Sequence, residues 1–194
     1  MSIELKHSIF KGIINASPSK SHEQRLLAAA LLSEKGIILG NIGNSNDVLA
    51  ARDILISLGR ECRIDADNKL VCKKQDSFES AKRTMILNCK ESALCARLFA
   101  PIVCVFGIPF TITGTGTLLK RKVANDFEIL KKRGCEFESE NGNLPVRFTK
   151  SVLKSGKYSI NNTDTSQFVS GLIFSLPLLK EDSQIFITAP VSIN

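Results

Sequence analysis

The chain has 194 residues, 43% of them hydrophobic and 23% charged, with 26 Lys and Arg against 19 Asp and Glu for a net charge of +7. That balance fits a soluble globular protein with a core to bury. No apolar run is clean enough to span a bilayer: the richest, residues 94–112, carries Arg97 and two prolines. Met1-Ser2-Ile3-Glu4-Leu5-Lys6 lacks the layout of a signal peptide, so the cytoplasm is the expected location. The excess of positive charge leaves three classes of partner: nucleic acid, membrane surface or a small anion. With one Tyr and no Trp there is little for bases to stack on, and the basic residues are scattered in twos and threes. Neither nucleic acid nor membrane is expected as a partner.

In chain order, Ser19-Lys20-Ser21-His22-Glu23-Gln24-Arg25 places hydroxyl residues where a helix N-cap belongs, and the apolar run 26–32 continues that helix. A turn at Glu34-Lys35-Gly36 leads to a strand at 37–40. Ser45-Asn46-Asp47 caps an amphipathic helix through Leu58, with Val48, Ala51, Ile54, Leu55 and Leu58 on one face. Short strands at 61–64 and 70–73 turn at Ala66-Asp67-Asn68. Lys90-Glu91-Ser92 opens a second buried helix over 93–105, and a strand at 110–114 follows Gly107-Ile108-Pro109. Val123, Phe127, Ile129 and Leu130 predict a helix ending at Gly134. Strands at 136–138 and 146–148 flank Asn141-Gly142-Asn143. Asp164-Thr165-Ser166-Gln167 opens a third buried helix over 168–179, with a strand at 185–188 after it.

Three of these segments share one layout: a hydroxyl cap, an all-apolar helix rich in small residues, a turn and a β-branched strand. Their starts near Ser21, Ser92 and Ser166 lie about 70 to 75 residues apart. The intervening segments match as well, so a full unit reads strand, helix, strand, helix, strand, strand. The fold class is α/β (α+β), with repeated βαβαββ units over about 17–75, 82–150 and 156–194. The third unit holds only a strand, a helix and a second strand. An incomplete repeat domain, needing a partner or more polypeptide to cover its apolar faces, is the expectation.

The buried helices begin with unusual chemistry. A helix N-terminus offers unpaired N–H groups and partial positive charge, so three that converge would hold phosphate or carboxylate groups. Lys20, Arg25 and Arg121 would add full charges. Taken singly, each segment is also a plain capped helix with solvated charges. The loop from Gly114 to Lys122 lacks the third glycine of a dinucleotide loop. Asp47 and Glu91 read as caps or charge partners, and His7 and His22 have no triad context. The six cysteines form no C-x-x-C pair, so neither a metal site nor a disulfide framework is expected, and several sit on apolar stretches as small core residues.

Five segments together resemble one family. Ser19-Lys20-Ser21 with Arg25 is similar to a Gly-Ser-Lys-Ser…Asn-Arg-Ala-Leu opening, and Ser45-Asn46-Asp47-Val48 to Ser-Asp-Asp-Val. The stretch from Asn88 to Arg97 resembles Gly-Asn-Ala-Gly-Thr…Arg in its Gly-Glu-Ser-Gly variant. Thr113-Gly114 through Arg121 resembles Thr-Gly…Arg-Pro-Ile, and Thr165-Ser166-Gln167-Phe168 resembles Ser-Ser-Gln-Phe. The family is that of the 5-enolpyruvylshikimate-3-phosphate synthases. The resemblance implies an inside-out barrel built of six such units in two domains, here about two and a half units. It implies transfer of the enolpyruvyl group of phosphoenolpyruvate to the 5-hydroxyl of shikimate 3-phosphate, a step toward chorismate and the aromatic amino acids, with no cofactor and no metal.

Carried over by position, Lys20 would be catalytic and contact both substrates. Ser21, Arg25, Thr165 and Ser166 would hold shikimate 3-phosphate, and Gln167 would touch both ligands. Arg121 would bind phosphoenolpyruvate, with the loop around Ala93 beside it. Lys90 and Ala93 stand where the family has glycine, Pro18 precedes Ser19 in place of glycine, and Lys122 follows Arg121 in place of proline. The resemblance places the family's acid–base aspartate and glutamate beyond residue 194 and assigns residues 1–16 to the second domain. Residues 17–194 are then an incomplete domain that partners the missing C-terminal part of the same polypeptide and does not catalyse alone. Two alternatives stand beside this: a UDP-N-acetylglucosamine enolpyruvyl transferase relative, disfavoured because residues 115–122 hold no loop cysteine, and a non-catalytic anion-binding module.

Overall fold

A computed structural model describes residues 3–4, 6–9, 11–74, 85–160 and 166–188. The first buried helix, α1 (Lys20–Leu32), leads into β1 (Ile37–Leu39) and then into α2 (Asn46–Ser57). The Ser45 hydroxyl caps α2 by accepting from the Val48 amide at 3.4 Å. Strands β2 (Cys62–Ile64) and β3 (Leu70–Cys72) close an antiparallel sheet of order β1-β3-β2. Asn68 holds the turn between them with φ of 57°, and the Asp65 carboxylate accepts from the amides of Asp67 and Lys69.

The second unit is complete. β4 (Met85–Asn88) crosses through α3 (Ala93–Val105) to the parallel strand β5 (Phe110–Thr113). After a one-turn helix, α4 (Glu128–Lys131), the hairpin β6 (Cys135–Ser139) and β7 (Val146–Ser151) adds antiparallel to β5, giving the order β4-β5-β7-β6. Asn141 and Gly142, at φ of 52° and 79°, supply the two left-handed residues of the tight turn. In the third unit, β8 (Lys157–Ile160) crosses through α5 (Ser166–Ser175) to the parallel strand β9 (Gln184–Ile187). The strand–helix–strand crossover thus repeats in units two and three.

Three expectations need correction. Unit one does not open on a strand among the described residues: α1 comes first, and the described part of 3–17 is exposed and belongs to no helix or strand. The single helix expected before Gly134 is instead two 3-10 turns, Gly116–Lys120 and Val123–Phe127, followed by α4. The Ala124 amide donates out of this segment to the Gly142 carbonyl at 3.1 Å, which competes with continuous helical bonding. The absence of a disulfide framework also fails at one pair, Cys62–Cys72, which face each other across β2 and β3 with Cα atoms 4.1 Å apart. Ten residues separate them in sequence, and only the hairpin register makes them opposite. The four remaining cysteines are free and buried, as small core residues.

The core lies between α1, α3 and α5 and the sheets. α3 is buried along nearly its whole length, as its apolar sequence, interrupted by Arg97, requires. Phe127 packs at 5.8 Å from Phe148 of β7 and 6.0 Å from Phe168 of α5, so one ring joins the 3-10 turn, the sheet and the third helix. The crossing of α3 and α5 depends on Gly171, where a Cβ would lie 2.6 Å from the Leu98 carbonyl oxygen and 2.6 Å from Pro101 Cγ. Arg60, 1% exposed, donates to the carbonyls of Ser33 and Lys35 at 2.7 and 2.5 Å and so ties down the chain leaving α1. On the far side Ile173 of α5 and Phe186 of β9 stay exposed, and β9 pairs only with β8 among the described residues.

Gly171→Ala should lower stability by about 2 kcal/mol despite the better helix propensity of Ala, because backbone lines the gap. Thermal melting by circular dichroism reads this, and an unchanged midpoint would count against the crossing. Alkylation in denaturant followed by mass spectrometry should find four thiols without reductant and, once the Cys62–Cys72 bond is reduced, six.

Candidate functional site

The first turns of α1, α3 and α5 lie at the same end of the molecule, and three polar links hold them there. From α3, the N-cap Ser92 hydroxyl donates at 3.0 Å to Oε1 of Gln24, a fully buried residue of α1. The same hydroxyl accepts from the Cys95 amide at 3.2 Å, capping its own helix. From α1, Arg25 donates through Nε and Nη2 to the Ser170 hydroxyl of α5 at 3.4 and 3.3 Å, and through Nη1 to the Ser21 carbonyl at 2.9 Å. From α3, Arg97 Nη1 donates to Gln167 Oε1 of α5 at 3.1 Å. Each pair of helices therefore carries its own polar tie within the first two turns.

These ties settle where most of the expected residues stand. Lys20, Ser21 and Arg25 lie on the opening turns of α1, Ala93 begins α3, and Ser166 and Gln167 begin α5. Thr165 lies outside the described residues. Lys20 is 63% exposed and pairs with Asp47 of α2 at 3.0 Å. An exposed pair of this kind is worth about 0–1 kcal/mol, so the ammonium can leave it for a doubly charged anion. No side chain caps α1: the Ser19 hydroxyl makes no capping bond, although its carbonyl accepts the first helical bond from Glu23. The opening N–H groups of α1 therefore remain available to an acceptor from outside.

The loop that carries Arg121 is tied to the turn before α3. The Thr115 amide donates to the Lys90 carbonyl at 2.7 Å. The Glu91 carboxylate accepts from both the amide and the hydroxyl of Thr117 at 3.1 Å. Those two donors hold the Glu91 carboxyl below the usual carboxylate range. Because folding lowers this pKa, the clamp is at full strength above the ordinary carboxylate value and fades as the pH falls through the lowered one. Gly116, at φ of 56°, sits against the Glu91 carboxylate where any Cβ would collide. Among the described residues Glu91 is thus neither a helix cap nor an ion-pair partner but the clasp on the Arg121 loop. Arg121 itself is exposed, and its guanidinium makes no hydrogen bond or ion pair among the described residues.

Lys90, which stands where the resembled family has glycine, has φ of 49°. The backbone there takes the conformation that glycine adopts most readily, and the side chain points away to Asp53 at 3.1 Å. Sequence reasoning passed over Gln24, Ser170 and Asp126. Asp126 accepts from Arg97 Nε at 2.7 Å, with the carboxylate side chain 6% exposed and the arginine 17%. A glutamine inside an apolar helix and an arginine inside the most apolar stretch of the chain were the available signals, since buried polar groups need partners. Among the described residues, no group of three His, Cys, Asp or Glu could hold a metal ion, and no helix is long and apolar enough to cross a membrane.

Comparison with known proteins gives the family. Residues 6–194 match the family model for EPSP synthase (3-phosphoshikimate 1-carboxyvinyltransferase). The curated 3-phosphoshikimate 1-carboxyvinyltransferase of Clostridium perfringens is 34% identical over 181 residues, covering 93% of this chain and 42% of its own length. That of Clostridium kluyveri is 33% identical over 186 residues, covering 96% of this chain and 43% of its own. The solved EPSP synthase from Acinetobacter baumannii aligns with a TM-score of 0.77 at 17% identity, over 95% of this chain and 42% of that chain, a likeness of fold. The chain therefore spans 42 to 43% of the length of these curated relatives. With the repeated crossover of units two and three and the match along almost all of its length, the chain belongs to the EPSP synthase family.

Proposed function

We propose that this chain supplies one side of an enolpyruvyl transferase site, the side that holds shikimate 3-phosphate and the phosphate end of phosphoenolpyruvate. The observation that carries the reading is the gathering of three helix N-termini by Gln24–Ser92, Arg25–Ser170 and Arg97–Gln167. Unpaired amides, two hydroxyls and the Lys20 ammonium on one rim suit a phosphorylated polyol acid. In this reading Ser21, Arg25, Thr165 and Ser166 bind shikimate 3-phosphate, Lys20 and Gln167 touch both substrates, and Arg121 grips phosphoenolpyruvate beside the Lys90–Ala93 turn.

The reaction joins the 5-hydroxyl oxygen of shikimate 3-phosphate, which gives up its proton, to C2 of phosphoenolpyruvate, while C3 takes a proton and the C2–C3 double bond is lost. Loss of a proton from C3 and of inorganic phosphate from the tetrahedral intermediate restores the enol double bond. Charge builds on the departing phosphate, and in this reading Lys20 and Arg121 close on it as the stabilising cations. The proton donor and acceptor would come from the remaining length of the longer relatives, because the residues gathered on this rim are cations, hydroxyls and amides. The carboxylates on or beside these elements, Glu23, Asp47, Glu91 and Asp126, are already engaged by the Gly43 amide, Lys20, Thr117 and Arg97.

Calorimetry should find shikimate 3-phosphate binding to the chain, weakened by roughly tenfold to a hundredfold in Lys20→Ala, the loss of one charge-assisted contact. Binding that survives this change undiminished would remove Lys20 from the site, and no binding of any anion would favour a different module. In a coupled phosphate-release assay the isolated 194 residues should show no turnover. Measurable turnover would show that the acid–base groups lie within this chain.

A further inference from the structure

We propose that Arg97 is a positioning residue: it turns the Gln167 carboxamide so that Nε2 donates into the space in front of the three helix N-termini. The inference rests on reading that rim as the substrate site. A guanidinium has donors only, so the Gln167 atom it meets at 3.1 Å must be the carbonyl oxygen. The NH2 end of the same amide then faces away from Arg97. Gln167 is the second residue of α5, where backbone N–H groups also point out of the helix. Side chain and backbone together present donors to an incoming phosphate.

Arg97 does not compete for that phosphate, because Asp126 offsets its charge through Nε at 2.7 Å in a largely buried pair. Asp126 belongs to the 3-10 turn Val123–Phe127, directly after the Arg121 loop. One planar guanidinium therefore holds both the turn behind Arg121 and the amide of Gln167 across α3. A lysine, with a single charged centre, cannot hold two partners in this fixed fork. Neither Arg97 nor Asp126 was among the residues expected to touch substrate, which suits a group that acts through another.

Shikimate 3-phosphate affinity is measured by calorimetry for wild type, Arg97→Lys, Gln167→Ala and the double variant, each checked for folding by thermal melting. Arg97→Lys should weaken binding about tenfold, and the double variant should bind no worse than Gln167→Ala alone. An Arg97→Lys effect of equal size in the Gln167→Ala background would overturn the proposal, as would unchanged affinity in Arg97→Lys beside a loss in Gln167→Ala. Should Arg97→Lys fail to fold, Arg97→Gln, which removes the guanidinium fork, replaces it with the same expected pattern. If wild type itself fails to bind, the reading of the rim falls, and the ligand-free protein decides this point separately. In nitrogen-15 spectra the Gln167 side-chain NH2 pair should be resolved and rigid in wild type and move to free-amide positions in Arg97→Lys. An unmoved pair sinks the idea.

Discussion

Everything at the candidate site depends on three buried helices being able to end together. Apolar packing alone would let α1, α3 and α5 slide along one another, since hydrophobic contact is non-directional. The polar ties remove that freedom. Gln24 has no exposed surface and must find partners: its Nε2 donates to the Lys20 carbonyl within α1, and its Oε1 accepts from the Ser92 hydroxyl of α3. An unsatisfied amide at that position would cost about 1–3 kcal/mol, so the pair selects one axial register for α1 against α3. Arg25 and Arg97 do the same for the other two helix pairs.

The turn before α3 accommodates a lysine where the resembled family has glycine. Lys90 replaces a glycine yet keeps the left-handed backbone, because the turn before α3 is fixed from both sides. The Cys89 amide donates to the Thr113 carbonyl at 2.9 Å and the Thr115 amide to that of Lys90, so the turn cannot relax without breaking the sheet. A non-glycine residue at positive φ costs of order 1 kcal/mol, well within what such bonds sustain. The lysine side chain then leaves toward Asp53 rather than toward the rim. Glu91 in turn explains Gly116, since the carboxylate that clasps Thr117 occupies the space a side chain would need.

The second unit serves as a template for the third. β5 is covered on its outer edge by β7, and β7 by β6, whereas β9 shows no such neighbour among the described residues. Exposed Ile173, Phe186 and Ile187 lie beside that edge. An open edge with apolar flanks is a surface that folded proteins normally cover.

Local rules were enough for the elements whose signals are local. The serine caps of α2 and α3, the 93–105 helix with its apolar run, and the strand–turn–strand patterns around Asn68 and Asn141 all follow from residue chemistry within a few positions. The repeat, and with it the fold, was legible because the same local signals recur at one spacing. What lay beyond the sequence were facts about pairs distant along the chain. Cys62 and Cys72 become opposite only through hairpin register. The helix before Gly134 is broken because a donor reaches Gly142. Arg97 looked like a misplaced charge in an apolar helix until α5 and the Asp126 turn closed around it. Sequence determines which groups need partners, because capping and burial are properties of residue type. Only the tertiary structure decides which partner each receives, because the choice depends on how helices from separate repeats are brought together.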